Sequence, residues 1–432
     1  MKGSNRLYAL VLILFITADV WGQTDPAAVF YGDLLPDAPS LAARGEYQVG
    51  VRTLQLKNPN QIDLLNSTKD QEVYYDRPLT VEIWYPARLE EGAKEMVVYN
   101  EVMGNFNSPD RPLIPFTFNG RAAREAAVFP SNAPYPLIIV SHGYTGSRYL
   151  MTYLTENLAS KGYVVVAIDH TDSTFRDAAA FHSTLLNRSL DDLFVLNEME
   201  RLSTEPDSFL QGLVDVNTTG LIGYSMGGYG ALNVAGGGYS SQALQLFSMV
   251  SQGSRALEKR MLGNEAFINS FDSRIKAVVA LAPWGMERGV WDAEGLAGIK
   301  IPTFFVAGSK DDISGYEKGI KAIYEGAIHT ERYLLTYENA RHNIAPNPPP
   351  AAALQAGLDI NEYLRYADSV WDQRRINNIN QHFITAFLGL KLKNITAFAP
   401  YLNAAELENQ DPWEGFLPRT SVGLELLYEK PE

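Results

Sequence analysis

Residues 221–228 read LIGYSMGG, which places Ser225 between Gly223 and Gly227 in a Gly-x-Ser-x-Gly pattern. A serine hydroxyl is a weak nucleophile until a neighbouring base removes its proton. The flanking glycines let a strand turn sharply into a helix and leave the hydroxyl raised at the tip. Such a serine needs a base, an acid to orient the base, and donors for an oxyanion. Six histidines are available: His142, His170, His182, His329, His342 and His382. The strand–elbow–helix arrangement runs serine, acid, histidine along the chain, which sets aside the three that precede Ser225. His329 ends the helical stretch 317–328, and His382 lies inside the helical stretch 374–392. His342, in NARHNIAPN, follows the strand-like RYLLTYENA (332–340), at the carboxyl edge where ligands bind in open α/β sheets. It is the expected base.

The acid is expected after the strand IPTFFVAG (301–308), where GSKDDIS offers Asp311 and Asp312 side by side. One of the two, Asp311 before Asp312, orients the imidazole and stabilises its positive charge. The other is solvated or caps the next helix. For the oxyanion, the backbone N–H of Met226 lies just after the nucleophile, at a helix start. The second donor is the N–H of Tyr144 in SHGYTGS (141–147), where Gly143 lets the backbone come close. Asp169 and His170, after the strand VVVAIDH, are expected to organise the wall of the cleft rather than to take part in the chemistry.

These residues need a frame. PLIIVSHG (136–143) and VVVAIDH (164–170) are continuous apolar runs, as are KAVVALAP (276–283) and IPTFFVAG, the mark of strands buried on both faces. Helical spacing over 149–162, 186–202 and 374–392 alternates with them, so the sheet is mostly parallel with helices on both faces. In 186–202 the apolar residues Leu190, Leu193 and Phe194 recur on one face. EYQVGVRTLQL (46–56) and RPLTVEIWYP (77–86) come with no helix between them, only a loop-like NPNQIDLLNSTKDQ (58–71), and form an antiparallel edge. The strand series ends at 340. Two long excursions, 86–131 and 236–272, are placed to cover the mouth of the site.

The chain has 432 residues, a formal charge of −14 and no cysteine. The charge argues against a nucleic-acid partner. The missing cysteines exclude disulfides, thiol chemistry and a cysteine-ligated metal. No HExxH, Walker or GxGxxG pattern occurs, so neither a metal nor an organic cofactor is expected. Residues 1–22 combine two basic residues, a short apolar run and small residues before Gln23, the pattern of a signal peptide. An exported chain with no stable membrane insertion is expected. Residues 23–432 then form one catalytic domain, its core at about 46–392.

The pieces GEYQVG, LTVEIWYP, PLIIVSHGYTGSR, AIDHTDST, NRSLDDLFVLNEM and GYSMGG resemble the α/β-hydrolase superfamily. Within it they resemble the dienelactone hydrolase-like and platelet-activating-factor acetylhydrolase-like branch. HGYTGS, GYSMGG, LAPW (281–284) and HNIAPN (342–347) also resemble the oxyanion loop, elbow, cleft tryptophan and histidine loop of cutinase-like polyester hydrolases. True dienelactone hydrolases use a cysteine nucleophile, which this chain lacks. The resemblance implies a serine esterase acting on a small or polymeric ester through an acyl-enzyme, with Tyr144 and Trp284 lining the acyl cleft. Short-acyl phospholipids are an alternative substrate. Peptide hydrolysis and a non-catalytic binding module are the remaining alternatives.

Overall fold

The computed structural model describes residues 30–68, 71–105, 108, 110–404 and 412–432. The signal peptide expected at 1–22 lies outside them. Strands β1 (Gln48–Ile62) and β2 (Tyr74–Arg88) form a long antiparallel hairpin. β1 runs on into the 58–71 stretch expected to be loop, because the register shift between Asn58 and Gln61 absorbs Pro59 and Asn60 (φ 55°). The excursion 86–131 holds a second antiparallel hairpin, β3 (Val97–Met103) with β4 (Ile114–Gly120), followed by the short strands β5 (Ala123–Arg124) and β6 (Ala127–Val128).

The centre is parallel. Strands β7 (Tyr135–Ser141), β8 (Thr145–Gly146), β9 (Val164–Asp169), β10 (Val214–Tyr224), β11 (Ile275–Leu281), β12 (Thr303–Gly308) and β13 (Arg332–Tyr337) follow in sequence. All but the two-residue β8 join one eleven-stranded sheet, ordered β14-β13-β12-β11-β10-β7-β9-β2-β1-β5 with β6 pairing on β2, where β14 is Leu424–Glu429. The strand series therefore does not end at 340. β14 pairs antiparallel with β13 from Arg332↔Glu429 to Tyr337↔Leu424 and covers an edge that would otherwise expose unpaired backbone.

Helices α1 (Thr152–Ser160), α2 (Phe181–Thr204), α3 (Met226–Val234), α4 (Ser241–Val250), α5 (Glu265–Ile268), α6 (Ala293–Ala297), α7 (Lys321–Gly326), α8 (Ile360–Leu364) and α9 (Gln373–Lys393) complete the chain. α1 and α9 pack together on one face, and α2 and α3 on the other. This is the α/β-hydrolase fold. Helix α2 spans the expected helical stretch, and its buried face is more polar than its apolar periodicity implies. Leu190, Leu193 and Phe194 are only half-buried, and the buried face carries Arg188, Asp191 and Asp192 beside Val195, Leu196 and Met199.

Both ends of the described chain reach α9. Leu35 N donates to Asn378 Oδ1 (2.9 Å) and Leu41 N to His382 Nδ1 (3.2 Å). Arg375 donates to Thr420 O (2.8 Å), and Ser40 N donates to Gly415 O (2.8 Å). Among the described residues, no helix is long and apolar enough to cross a membrane.

Candidate active site

Ser225 stands at the junction of β10 and α3 with φ 52° and ψ −109°, a backbone conformation that non-glycine residues rarely adopt. Holding it costs on the order of 1–3 kcal/mol, which the surrounding packing has to offset. The neighbouring glycines make the turn sterically possible. A Cβ on Gly223 would lie 2.3 Å from Gly227 O, and one on Gly227 would lie 2.0 Å from Ser141 O.

Three separate strand ends deliver a hydrogen-bonded chain. His342 Nε2 is 3.0 Å from Ser225 Oγ, and His342 Nδ1 is 2.8 Å from Asp311 Oδ2. All three side chains are buried, with 6–7% exposure. Asp311 is fixed from behind, because its Oδ1 accepts from Ile313 N (2.9 Å) and Ser314 N (2.8 Å). Burial alone would raise its pKa. The neighbouring His342 and the two backbone donors outweigh that and hold the carboxyl below its usual range. Asp312 points outward into an exposed ion pair with Arg341. Of the two carboxylates, the structure brings Asp311 to the histidine.

The Gly143 carbonyl faces the protein interior. It lies 2.6 Å from His142 Nδ1 and 3.0 Å from Gly146 N, with Arg188 Nη2 at 3.5 Å. In a planar trans peptide the next N–H points the opposite way. The Tyr144 N–H is therefore directed away from that buried cluster, on the side where Gly143, Tyr144 and Ser225 line one cleft of about 430 Å³. The N–H of Met226, at the first position of α3, has no intrahelical acceptor in any α-helix.

Beneath this loop lies a buried polar network that the sequence reading did not find. Arg188, from α2, donates to His142 O (2.7 Å) and to Ser173 Oγ (2.6 Å). His142 Nε2 accepts from His170 N (3.2 Å), so its ring is a neutral Nδ1–H tautomer. Burial pushes its pKa well below the usual histidine value. His170 bridges Ser141 Oγ (2.8 Å) and Asp191 Oδ2 (2.9 Å), and burial takes its pKa down to about 3. Asp191 in turn receives Arg77 Nε (2.9 Å) and Nη2 (3.1 Å). Asp169 is tied to Arg148. Asp169 and His170 do not themselves line the cleft; both side chains hold the 141–148 loop from below, which fits the expectation that they organise the cleft wall. The available signal was in NRSLDDL, where Arg188, Asp191 and Asp192 are spaced i, i+3 and i+4 on one helical face.

Tyr144 lines the cleft, and its ring meets Phe181 edge-to-face at 5.2 Å. Phe181 meets Trp284 in the same way at 5.4 Å. Trp284 is half-buried and lies outside the cleft lining, anchored by its N–H to Ser225 O (3.2 Å). His342 is flanked by Asn343, whose Oδ1 accepts from Tyr224 OH (2.7 Å). Among the described residues, no group of three or more His, Asp or Glu could hold a metal ion.

A family model described as PETase, PET hydrolase-like, matches residues 126–249, a segment that holds both the 141–147 loop and the turn at Ser225. The chain is similar to cutinase est1 of Thermobifida alba, 27% identical over 217 residues, which cover 50% of this chain and 56% of that protein. It is also similar to the bis(hydroxyethyl) terephthalate hydrolase of Streptomyces coelicolor, 25% identical over 218 residues, covering 50% and 53%. The chain thus spans little more than half the length of these relatives. A solved structure, a ferulic acid esterase from Streptomyces cinnamoneus, superposes with a TM-score of 0.54 at 18% identity. It covers 91% of this chain and 100% of its own, a likeness of fold.

Proposed function

We propose that this protein is an exported serine hydrolase that cleaves carboxylic esters through an acyl-enzyme. The observation that carries the proposal is the chain Ser225 Oγ, His342 Nε2, His342 Nδ1, Asp311 Oδ2, with links of 3.0 and 2.8 Å at the strand tips. His342 takes the proton as Ser225 Oγ bonds to the ester carbonyl carbon, and Asp311 stabilises the imidazolium that forms. The N–H groups of Met226 and Tyr144 stabilise the oxyanion, and the fixed Gly143 carbonyl keeps the Tyr144 donor in place without reorganisation. As the tetrahedral species collapses, His342 returns the proton to the departing alcohol. Water, activated by the same histidine, then releases the acid and frees Ser225.

The names of the relatives, cutinases and a terephthalate-ester hydrolase, support esters as the substrate class and favour the polyester side of the resemblance. The short apolar run and small residues of 1–22 support export. Two measurements on one preparation test the reading: turnover of 4-nitrophenyl butyrate, and labelling by a fluorophosphonate. Ser225→Ala should lose both. Turnover retained in that variant refutes the assignment of the nucleophile.

A further inference from the structure

The charged groups lining the cleft beside Ser225 are Asp312, Arg341, Glu362, Arg365 and Asp368. Four of them are occupied. Asp312 pairs with Arg341, and Glu362 pairs with Arg111. Asp368 accepts from Arg341 N (2.7 Å) through one oxygen and from Val370 N (2.8 Å) and Trp371 N (2.9 Å) through the other. Arg365 is different. Its Nη2 donates to Tyr144 O (2.7 Å), and its guanidinium stacks on the Phe175 ring at 5.1 Å. No carboxylate among the described residues pairs with it, although the chain carries a formal charge of −14. The side chain is half-buried, so its charge is partly desolvated and still open to the cleft.

A guanidinium is a planar fork with five N–H donors, and one of them on Tyr144 leaves an edge for a second partner. Stacking on Phe175 fixes the plane of that fork. Arg365 also bonds the residue whose own N–H is assigned to the oxyanion, and it lines the same cleft as Ser225.

We propose that Arg365 receives an anionic group of the substrate, and that the preferred esters are half-esters of dicarboxylic acids, which keep one free carboxylate beside the ester that is cut. This rests on the serine esterase reading and narrows its substrate class. The carboxylate matches the fork bidentately, which a neutral acyl chain cannot do. A phosphate on the ester would offer the same paired oxygens, and the test separates the two sources.

The assay compares kcat/KM for mono(4-nitrophenyl) glutarate with that for 4-nitrophenyl butyrate, which differ by the carboxylate. A second pair compares diacetylglycerol 3-phosphate with triacetin. Arg365→Gln should lower kcat/KM on the glutarate half-ester about 10–100-fold more than on the butyrate, mainly through KM. Arg365→Lys keeps the charge and loses the fork, so its selective loss should be smaller than that of Arg365→Gln. A selective loss confined to the phosphate pair, or equal losses on charged and neutral esters, overturns the proposal. The second of those results leaves Arg365 as a brace for the Tyr144 loop. Wild-type turnover of butyrate reports on the esterase reading separately, so failure there is distinguishable from failure of the charge preference.

Discussion

Replacing Asp311 with asparagine should cost far more activity than the same change at Asp312, and the geometry gives the reason. Asp311 Oδ1 accepts from the N–H groups of Ile313 and Ser314. In Asp311→Asn the amide oxygen keeps those two bonds, which turns the NH₂ toward His342 Nδ1. An NH₂ can only donate there, so Nδ1 must accept and the proton moves to Nε2. That nitrogen then faces Ser225 Oγ already protonated and cannot act as a base. Loss of the correct tautomer costs on the order of 10³–10⁴ in kcat. That is about 4–5.5 kcal/mol of barrier at 1.36 kcal/mol per tenfold change. Asp312 and Arg341 form a pair whose side chains are 39% and 47% exposed, so Asp312→Asn should change stability by about 0–1 kcal/mol and leave kcat close to wild type. Steady-state kinetics on 4-nitrophenyl butyrate read the difference, with thermal melts to establish that both variants fold. A larger loss in Asp312→Asn than in Asp311→Asn refutes the tautomer argument and moves the acid to the other carboxylate.

Four further outcomes follow from the same structure. Gly227→Ala places a Cβ 2.0 Å from the Ser141 carbonyl oxygen, a backbone atom, so it should cost at least ~3 kcal/mol or abolish soluble expression, read by urea unfolding. Arg188→Met removes the cation that binds His142 O and Ser173 Oγ. It should destabilise by roughly 3–5 kcal/mol, and normal stability in that variant would show the buried charge to be dispensable. His382 is buried, and its pKa is pushed down to about 3, below its unfolded value near 6.5. The unfolded chain therefore binds the extra proton between those values, and this contribution to stability is lost as pH falls from about 6.5 toward 3. Denaturation at pH 7.5 and 5 should show His382→Phe gaining on wild type as pH falls, by up to about 1.4 kcal/mol per pH unit; a constant gap between the two argues against a neutral buried ring. Removing residues 424–432 deletes β14 and bares β13, so the truncated protein should aggregate, read by light scattering on refolding.

The sequence made the hydrogen-bonded Ser225, His342 and Asp311 legible because chain order and strand ends bring them together. Ser225, Asp311 and His342 each follow an apolar run that can only be a buried strand, and the turns after those runs share one edge of the sheet. Between Asp311 and Asp312 the sequence held a preference without a cause. The cause is the pair of backbone donors from Ile313 and Ser314, a tertiary detail of one turn. Helix α2 was legible as a helix, but the buried polar face beside its apolar residues was not, because apolar periodicity points only to an apolar core. Its buried side meets Arg77, His170 and the oxyanion loop, which are polar and come from distant parts of the chain. β14 was missed for a related reason. LELLYE is a short run, half-exposed along its length, and only its partner β13 makes it a strand. Arg365 shows nothing in sequence, since the proposal for it starts from contacts with Tyr144 and Phe175 that only the fold creates.

The segments 35–41 and 415–420 meet on α9, so the backbone between them is close to a ring. Ser40 and Gly415 are joined by one hydrogen bond, and the flanking segments lie along the same helix. The order of elements around that ring, rather than the place where translation starts, then defines the architecture. A permuted gene that links the two ends and opens the chain in an exposed turn, such as that near Gly212, should reach the same sheet.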